Sequence, residues 1–191
     1  MPKERETWNQ GNRKASYYQE FIEESKKNPL GQIGSGPMKK VIRPEEMPWE
    51  DSPQGKIKHM INEKMAEEMN FPAKSVDLYL QIIPPGSCSG KHRHMSEECV
   101  YIIEGKGYDM HWDVDAIIKE EYEWIISDKG EKYEWEAGDI VYIPLNTAHQ
   151  HFNSDPDKPA RIISSANRIY NHLGFGFNDL VQMENAPDYR K

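Results

Sequence analysis

Cysteine is scarce in this chain: Cys88 and Cys99 are the only two in 191 residues. Two are too few for a disulfide framework, and no Cys-x-x-Cys pair occurs. That argues against zinc fingers and points to a reduced, cytoplasmic setting. Long apolar runs are absent too. No stretch of roughly 18 apolar residues could span a membrane, and residues 1–6 hold no apolar segment of the kind a secretory leader needs. Basic charge is in deficit. A formal net charge of −8 disfavours nucleic acid and anionic membranes as partners. Residues 1–40 hold eight Lys/Arg against five Glu, a local +3, which leaves −11 for the remainder. The basic start is too mixed for a nucleic-acid arm and reads as solvated surface. Neither a phosphate-cradling glycine loop nor a nucleophile elbow occurs, which argues against nucleotide and serine-hydrolase chemistry.

What is present is concentrated in two segments. The first places Gly86, His92, His94, Glu98 and Gly105 in order; the second places Gly138, Pro144, Asn146, His149 and Asn153. Side chains on a strand alternate with a period of two, so His92 and His94 point the same way and can grip one ion. Glu98 joins them along the same strand, or across a turn if the chain folds back near Met95 and Ser96. His149 is distant in sequence, so a second strand of an antiparallel sheet must deliver it. Three imidazoles and a carboxylate suit Fe(II), Mn(II), Ni(II), Zn(II) or Cu(II) and suit Mg or Ca poorly. Four protein ligands around a six-coordinate ion leave two positions open, which metal catalysis needs.

The rest of the chain supplies context. A helix is expected from Ser16, with Gln19 as a capping-box partner, an apolar stripe at Tyr17, Tyr18, Phe21 and Ile22, and a stop at Pro29. Residues 1–13 read as loosely attached, and Gly31 to Pro37 as connection. A strand at 56–61 and a short helix follow, with His59 as a satisfied surface residue. From Ser75 the pattern is β: Val76 to Ile83, then Glu98 to Glu104. Between the motifs, Tyr108, Met110, Trp112 and Val114 share a face, as do Tyr122, Trp124 and Ile126, and Tyr133, Trp135 and Ala137. These aromatic faces line a substrate cavity or form core and dimer surface. A hairpin turn is expected at 128–130, and this stretch is long enough for an extra excursion. Alternation places His149, His151 and Asn153 on one face. His151 is either a base beside the metal or a filler deeper in the barrel. Arg161 is a carboxylate clamp only if it points inward. Cys88 reads as a small buried side chain rather than a ligand. The tail from Asn171 to Gly176 reads as loop.

The two segments resemble the paired motifs of the cupin superfamily, G-x5-H-x-H-x3-E-x6-G and G-x5-P-x-G-x2-H-x3-N. Only Asn146 departs, standing where the family often has Gly. Asn tolerates positive φ, so the turn survives. The resemblance covers roughly residues 75–165 and implies an all-β double-stranded β-helix, a jelly-roll barrel, with an N-terminal helical or extended extension. The division expected is an extension at 1–55 with one helix and a single barrel with C-terminal tail at 56–191, since no second motif pair occurs. The metal ligands implied are His92, His94, Glu98 and His149. The leading expectation is a non-haem Fe(II) dioxygenase, with Mn(II), Ni(II) or Zn(II) as alternative ions, acting with O2 on a small, aromatic or phenolic substrate. The alternatives are an oxygen-independent isomerase, decarboxylase or lyase, with His151, Tyr101 or Tyr142 as the base, and a non-catalytic ligand-binding module. A homodimer is the expected assembly.

Overall fold

Strand-forming sequence dominates from Trp49 onward and folds into two antiparallel sheets that close on one another. The computed structural model describes residues 14–24, 39–71, 73–118, 122–175 and 180–190. In chain order the strands are β1 (Trp49–Ser52), β2 (Gly55–Ile61), β3 (Val76–Ile83), β4 (Lys91–His94), β5 (Glu98–Glu104), β6 (Lys106–Trp112), β7 (Val114–Ile118), β8 (Tyr122–Ile126), β9 (Glu131–Glu136), β10 (Ile140–Ile143), β11 (Ala148–Asn153), β12 (Ala160–Asn167) and β13 (Leu180–Glu184). One sheet runs β1-β2-β3-β12-β5-β10 and the other β13-β4-β11-β6-β9. This is the expected all-β jelly-roll barrel. Among the described residues no helix is long and apolar enough to cross a membrane.

The barrel interior has an apolar end and a polar end. Ile83, Val100, Ile102, Trp135, Val141, Ile143, Ala160 and Ile162 form one buried cluster. Fully burying side chains of this size contributes about 1.5–3 kcal/mol each. Along β5 the inward residues run Glu98, Val100, Ile102, alternating with exposed Cys99 and Tyr101. The same face therefore passes from core to functional site within five residues.

Helix α1 (Tyr17–Glu24) lies against the barrel. Its side chains Tyr18 and Ile22 pack with Ile57, Tyr79 and Leu180. The expected capping box at Ser16 and Gln19 does not form. Ser16 Oγ donates to Glu20 instead. The helix N-terminus is capped by a distant carboxylate: Glu50 of β1 accepts from the Tyr18 N–H at 2.9 Å and the Gln19 N–H at 3.3 Å. A negative group there complements the orphan donors and the helix dipole. Glu50 is also 2.6 Å from His59 Nε2. His59 is satisfied as expected but fully buried, not on the surface. The expected stop at Pro29, the loose residues 1–13 and the Gly31–Pro37 connection lie outside the described residues.

The strand and helix expected after residue 55 are present as β2 and α2 (Glu63–Met69), the helix capped by Asn62. Two other expectations are corrected. β8 pairs with β7, not β9, so no hairpin turns at 128–130; β7 and β8 form a separate two-stranded arm, the extra excursion. β9 is drawn instead to the edge of β6, where Gly107 faces Trp135. A Cβ at Gly107 would stand 2.6 Å from the indole ring, so only glycine lets Trp135 reach the core. Asn171–Phe175 is a single π-helical turn rather than loop, held by His172 Nε2 at 2.9 Å from the Lys74 carbonyl.

Candidate metal centre

Three strands build the centre. His92 and His94 project inward from β4, the two sides of a one-residue alternation around Arg93. The chain then bends at Met95 and Ser96 and crosses to the other sheet, where Glu98 opens β5. Of the two routes open to Glu98 from sequence, the fold takes the turn. His149 arrives on β11, directly opposite His92 in the ladder. The tight turn before it uses Asn146 at φ 58°, the left-handed conformation expected there. The Asn146 amide oxygen also accepts from Arg93 at 2.7 Å, which ties the turn to the outward side of β4.

One ligand atom from each of His92, His94, Glu98 and His149 lies within 4.8 Å of all the others. Glu98 Oε2 is 2.7 Å from His94 Nε2 and 3.3 Å from His149 Nε2. All four residues are buried. The imidazoles are aimed from behind. His94 Nδ1 is 2.8 Å from the Ser96 carbonyl, and His149 Nδ1 is 3.0 Å from the Thr147 carbonyl. A carbonyl only accepts, so each Nδ1 carries the proton and each Nε2 turns its lone pair inward. Ser164 Oγ donates to the other oxygen of Glu98.

The electrostatics agree with this arrangement. Burial, and then the neighbouring His149 and His94, hold the His92 imidazole well below its usual range. Burial also lowers His149, outweighing the attraction of Glu98. Burial opposes ionisation of Glu98, but the His149 and His94 rings beside it overcome that and hold the carboxyl well below its usual range. His92 and His149 are thus held toward the neutral imidazole and Glu98 toward the carboxylate, the states in which these groups ligate metals. Imidazole nitrogens and a carboxylate converging on one buried point form a donor set that a divalent cation would complete. The residues fit a borderline transition-metal ion.

The other sequence candidates divide. His151 lies inward on β11, fully buried, with its ring centroid 5.6 Å from that of His149. Its Nδ1 is 2.9 Å from Asp109 Oδ2, and its Nε2 is buried without a hydrogen-bond partner. Tyr101 and Tyr142 do not reach the centre. Both sit on the outward face of their strands, half exposed, because Glu98 takes the inward phase of β5; the Tyr142 hydroxyl donates to Glu97. Arg161 points outward too and pairs with Glu104, so it is not a clamp. Cys88 is half-buried, its thiol is pushed up by burial, and it accepts from Gln150 rather than joining the cluster.

Asp109 and His111 were missed from sequence. They occupy the inward phase of β6, opposite the aromatic face of Tyr108, Met110 and Trp112. Asp109 is fully buried and accepts from His151 and, at 2.8 Å, from Trp135 Nε1. His111 lies opposite His149 in the ladder. The same alternation that marked the aromatics carried this signal; the polar phase faces the barrel interior and the aromatic phase does not. The aromatic face of β6 therefore does not wall a cavity at the cluster.

A cavity of about 20 Å³ does adjoin the cluster. His92, His94, Glu98 and Ser164 form one side; Tyr18, Tyr79, Leu180 and Ala166 form an apolar side; Asp77 and Arg168 complete it. Tyr18 comes from α1 and Leu180 from β13, two elements that flank the barrel motifs in sequence.

Comparison with known proteins agrees with this geometry. Residues 79–165 match the family model of the cupin domain. An uncharacterized protein of Methanocaldococcus jannaschii is 32% identical over 92 residues, 48% of this chain; the chain spans 59% of that relative's length. Among solved structures, the oxalate decarboxylase–formate complex of Lactobacillus farciminis superposes with a TM-score of 0.56 at 15% identity, covering 81% of this chain and 39% of that one. A cupin-like protein of Thermotoga maritima gives a TM-score of 0.46 at 16% identity, covering 68% and 76%. At these identities the structural likeness concerns the fold.

Proposed function

We propose that this member of the cupin superfamily, its cupin domain at residues 79–165, is a metal-dependent enzyme, a non-haem Fe(II) dioxygenase acting on a small substrate. The observation that carries the reading is the convergence of His92, His94, Glu98 and His149 on one buried point beside a cavity. When bound, the ion supplies Lewis acidity and, as Fe(II), electron exchange with O2. His94 and His149 are held in the ligating tautomer by the Ser96 and Thr147 carbonyls. Glu98 offsets part of the ion's charge. Tyr18, Tyr79 and Leu180 exclude water from the reacting side. The cavity against the ligand set is too small for an aromatic ring, which favours a small substrate.

A second reading rests on His151. Its Nδ1 is fixed by buried Asp109, and its free Nε2 lies near the cluster, an arrangement suited to moving a proton without O2. Decarboxylation, isomerisation or elimination would use it. Two unpaired cysteines support a cytoplasmic setting, and the exposed apolar side chains on β5 and β10 support a homodimer.

The test is elemental analysis of protein purified from its native host. Oxygen uptake by the Fe(II)-loaded protein follows, over a panel of small acids and thiols, with dihydroxy-aromatics as the class expected to be silent. Uptake with one class supports the dioxygenase. Turnover that persists under strict anaerobiosis and tolerates Zn(II) or Ni(II) favours the second reading. Absence of bound metal contradicts both.

A further inference from the structure

Strand β4 reads Lys91, His92, Arg93, His94. Alternation sends the two histidines to the ligand set and sends Lys91 and Arg93 to the opposite, outward side. Each outward cation lies on an indole. Lys91 Nζ stands 3.6 Å from the centroid of the Trp112 ring, and the Arg93 guanidinium carbon stands 4.4 Å from that of Trp124. Trp112 ends β6 and Trp124 lies in β8, so both come from the long stretch between the two motifs. The seat of Trp112 is specific. A Cβ at Gly130 would stand 2.6 Å from its Nε1, so a side chain there would displace the ring.

Arg93 is buried, and its Nη1 donates to Asn146 Oδ1 at 2.7 Å. The Asn146 N–H donates in turn to the His94 carbonyl at 3.0 Å. Arg93 therefore joins three parts: the strand that holds His92 and His94, the turn that leads into His149, and the β7–β8 arm. A guanidinium taken out of water is costly unless its donors and its face are met, so this contact is a built one. Strand β4 needs the support. It has four residues. Its ladder with β11 has one registered pair, His92 with His149, and its ladder with β13 shifts register between Gln182 and Glu184. The arm is a sheet of its own. What it brings to β4 is the face of Trp124.

We propose that the β7–β8 arm, together with Trp112, is a clasp on the back of β4 that sets how tightly the ion is held. Arg93 is the positioning residue through which the clasp acts on His92, His94 and His149. This deepens the metal-enzyme reading and rests on it. Two of the aromatic side chains between the motifs thus hold the ligand strand from behind rather than line a substrate cavity. With the clasp in place the imidazoles stand in the binding arrangement before the ion arrives, and binding has little ordering left to offset. Reciprocity follows: whatever the arm adds to metal affinity, the metal adds to the stability of the arm.

The experiment uses the full chain and Co(II), with affinity read by competition against a chelator and coordination read from the visible absorption bands. Trp124→Leu removes the indole face. Asn146→Gly keeps a left-handed turn and removes the acceptor of Arg93. Each is expected to weaken Co(II) binding roughly tenfold and to shift the bands, with one ion per chain still bound at saturation. Arg93→Gln should do the same, and Arg93→Lys, which keeps a cation on the ring, should recover part of the loss. Arg93→Gln combined with Trp124→Leu should lose less than the sum of the two single losses, since they share a contact. In the unaltered protein, Co(II) should slow amide exchange at Trp124 and Ile125 as well as at Arg93. Unchanged Co(II) affinity in folded Trp124→Leu and Asn146→Gly overturns the proposal, even if both lower Tm, because the contact is then structural only. Arm amides that exchange at the same rate with and without Co(II) overturn it too, and that measurement decides if the variants do not fold. Either result leaves the metal-enzyme reading standing, whereas failure of the unaltered protein to bind Co(II) overturns both.

Discussion

His92 and His149 face each other across the β4–β11 ladder with ring centroids 4.1 Å apart. Two buried neutral imidazoles gain little from this proximity unless something lies between them and their neighbours. Their placement is therefore costly to the empty protein and repaid by a bound ion. The unaltered protein should gain thermal stability when a divalent transition metal is added, by about 2.7 kcal/mol at a hundredfold excess over Kd. His94→Ala should abolish that gain while leaving the far-ultraviolet circular dichroism of the barrel intact. Differential scanning calorimetry with and without metal reads both.

Glu50 links α1 to the barrel through two backbone N–H groups and His59. Glu50→Ala leaves the Tyr18 and Gln19 amides uncapped and His59 buried without its carboxylate. A loss of about 1–3 kcal/mol is expected. Amide exchange at Tyr18 should accelerate far more than at Ile102 in the core. Equal acceleration at both would mean that Glu50 supports the whole barrel rather than the helix.

Asp109 accepts from His151 and Trp135 in the dry interior. Asp109→Leu removes both acceptors and should destabilise the protein by about 2–5 kcal/mol in urea unfolding, since two buried donors are left unpaired. His151→Gln should leave metal content unchanged, because His151 stands outside the ligand set. If His151 moves a proton in the reaction, that variant loses turnover while keeping the metal. Loss of the metal instead would place His151 among the ligands.

Tyr101, Ile103, Ile140 and Tyr142 are exposed on the outward face of β5 and β10, and β10 is the last strand of its sheet. Exposed apolar side chains grouped at a sheet edge are what a second copy would cover. Sedimentation velocity should give a dimer, and Ile140→Lys should shift it to monomer without altering metal content. A monomeric unaltered protein contradicts this. Tyr101→Phe and Tyr142→Phe should leave any turnover unchanged, since neither hydroxyl reaches the cluster.

The legible part of the sequence was the part governed by period and spacing. Alternation around Arg93 placed His92 and His94 together, and positive φ at Asn146 followed from the turn chemistry of a short polar side chain. β3, β5 and the strand–helix pair after residue 55 were visible for the same reason. What stayed hidden depended on long-range pairing. The cap of α1 comes from Glu50, some thirty residues away, and no local rule reports it. β9 joins β6 because Gly107 makes room for Trp135, a complementarity between distant residues. β13 pairs with β4 although its own pattern is short and mixed. His111 and Asp109 carry no motif of their own, and the alternation of β6 does not by itself say that the polar phase, rather than the aromatic one, faces inward.

The most direct test of the central claim is the X-ray absorption spectrum of the metal-loaded protein, beside that of His149→Ala. The account predicts an ion bound by three imidazole nitrogens and a carboxylate oxygen at about 2.0–2.2 Å, with one imidazole fewer in the variant. A spectrum with fewer than three imidazoles, or one unchanged by His149→Ala, would contradict it.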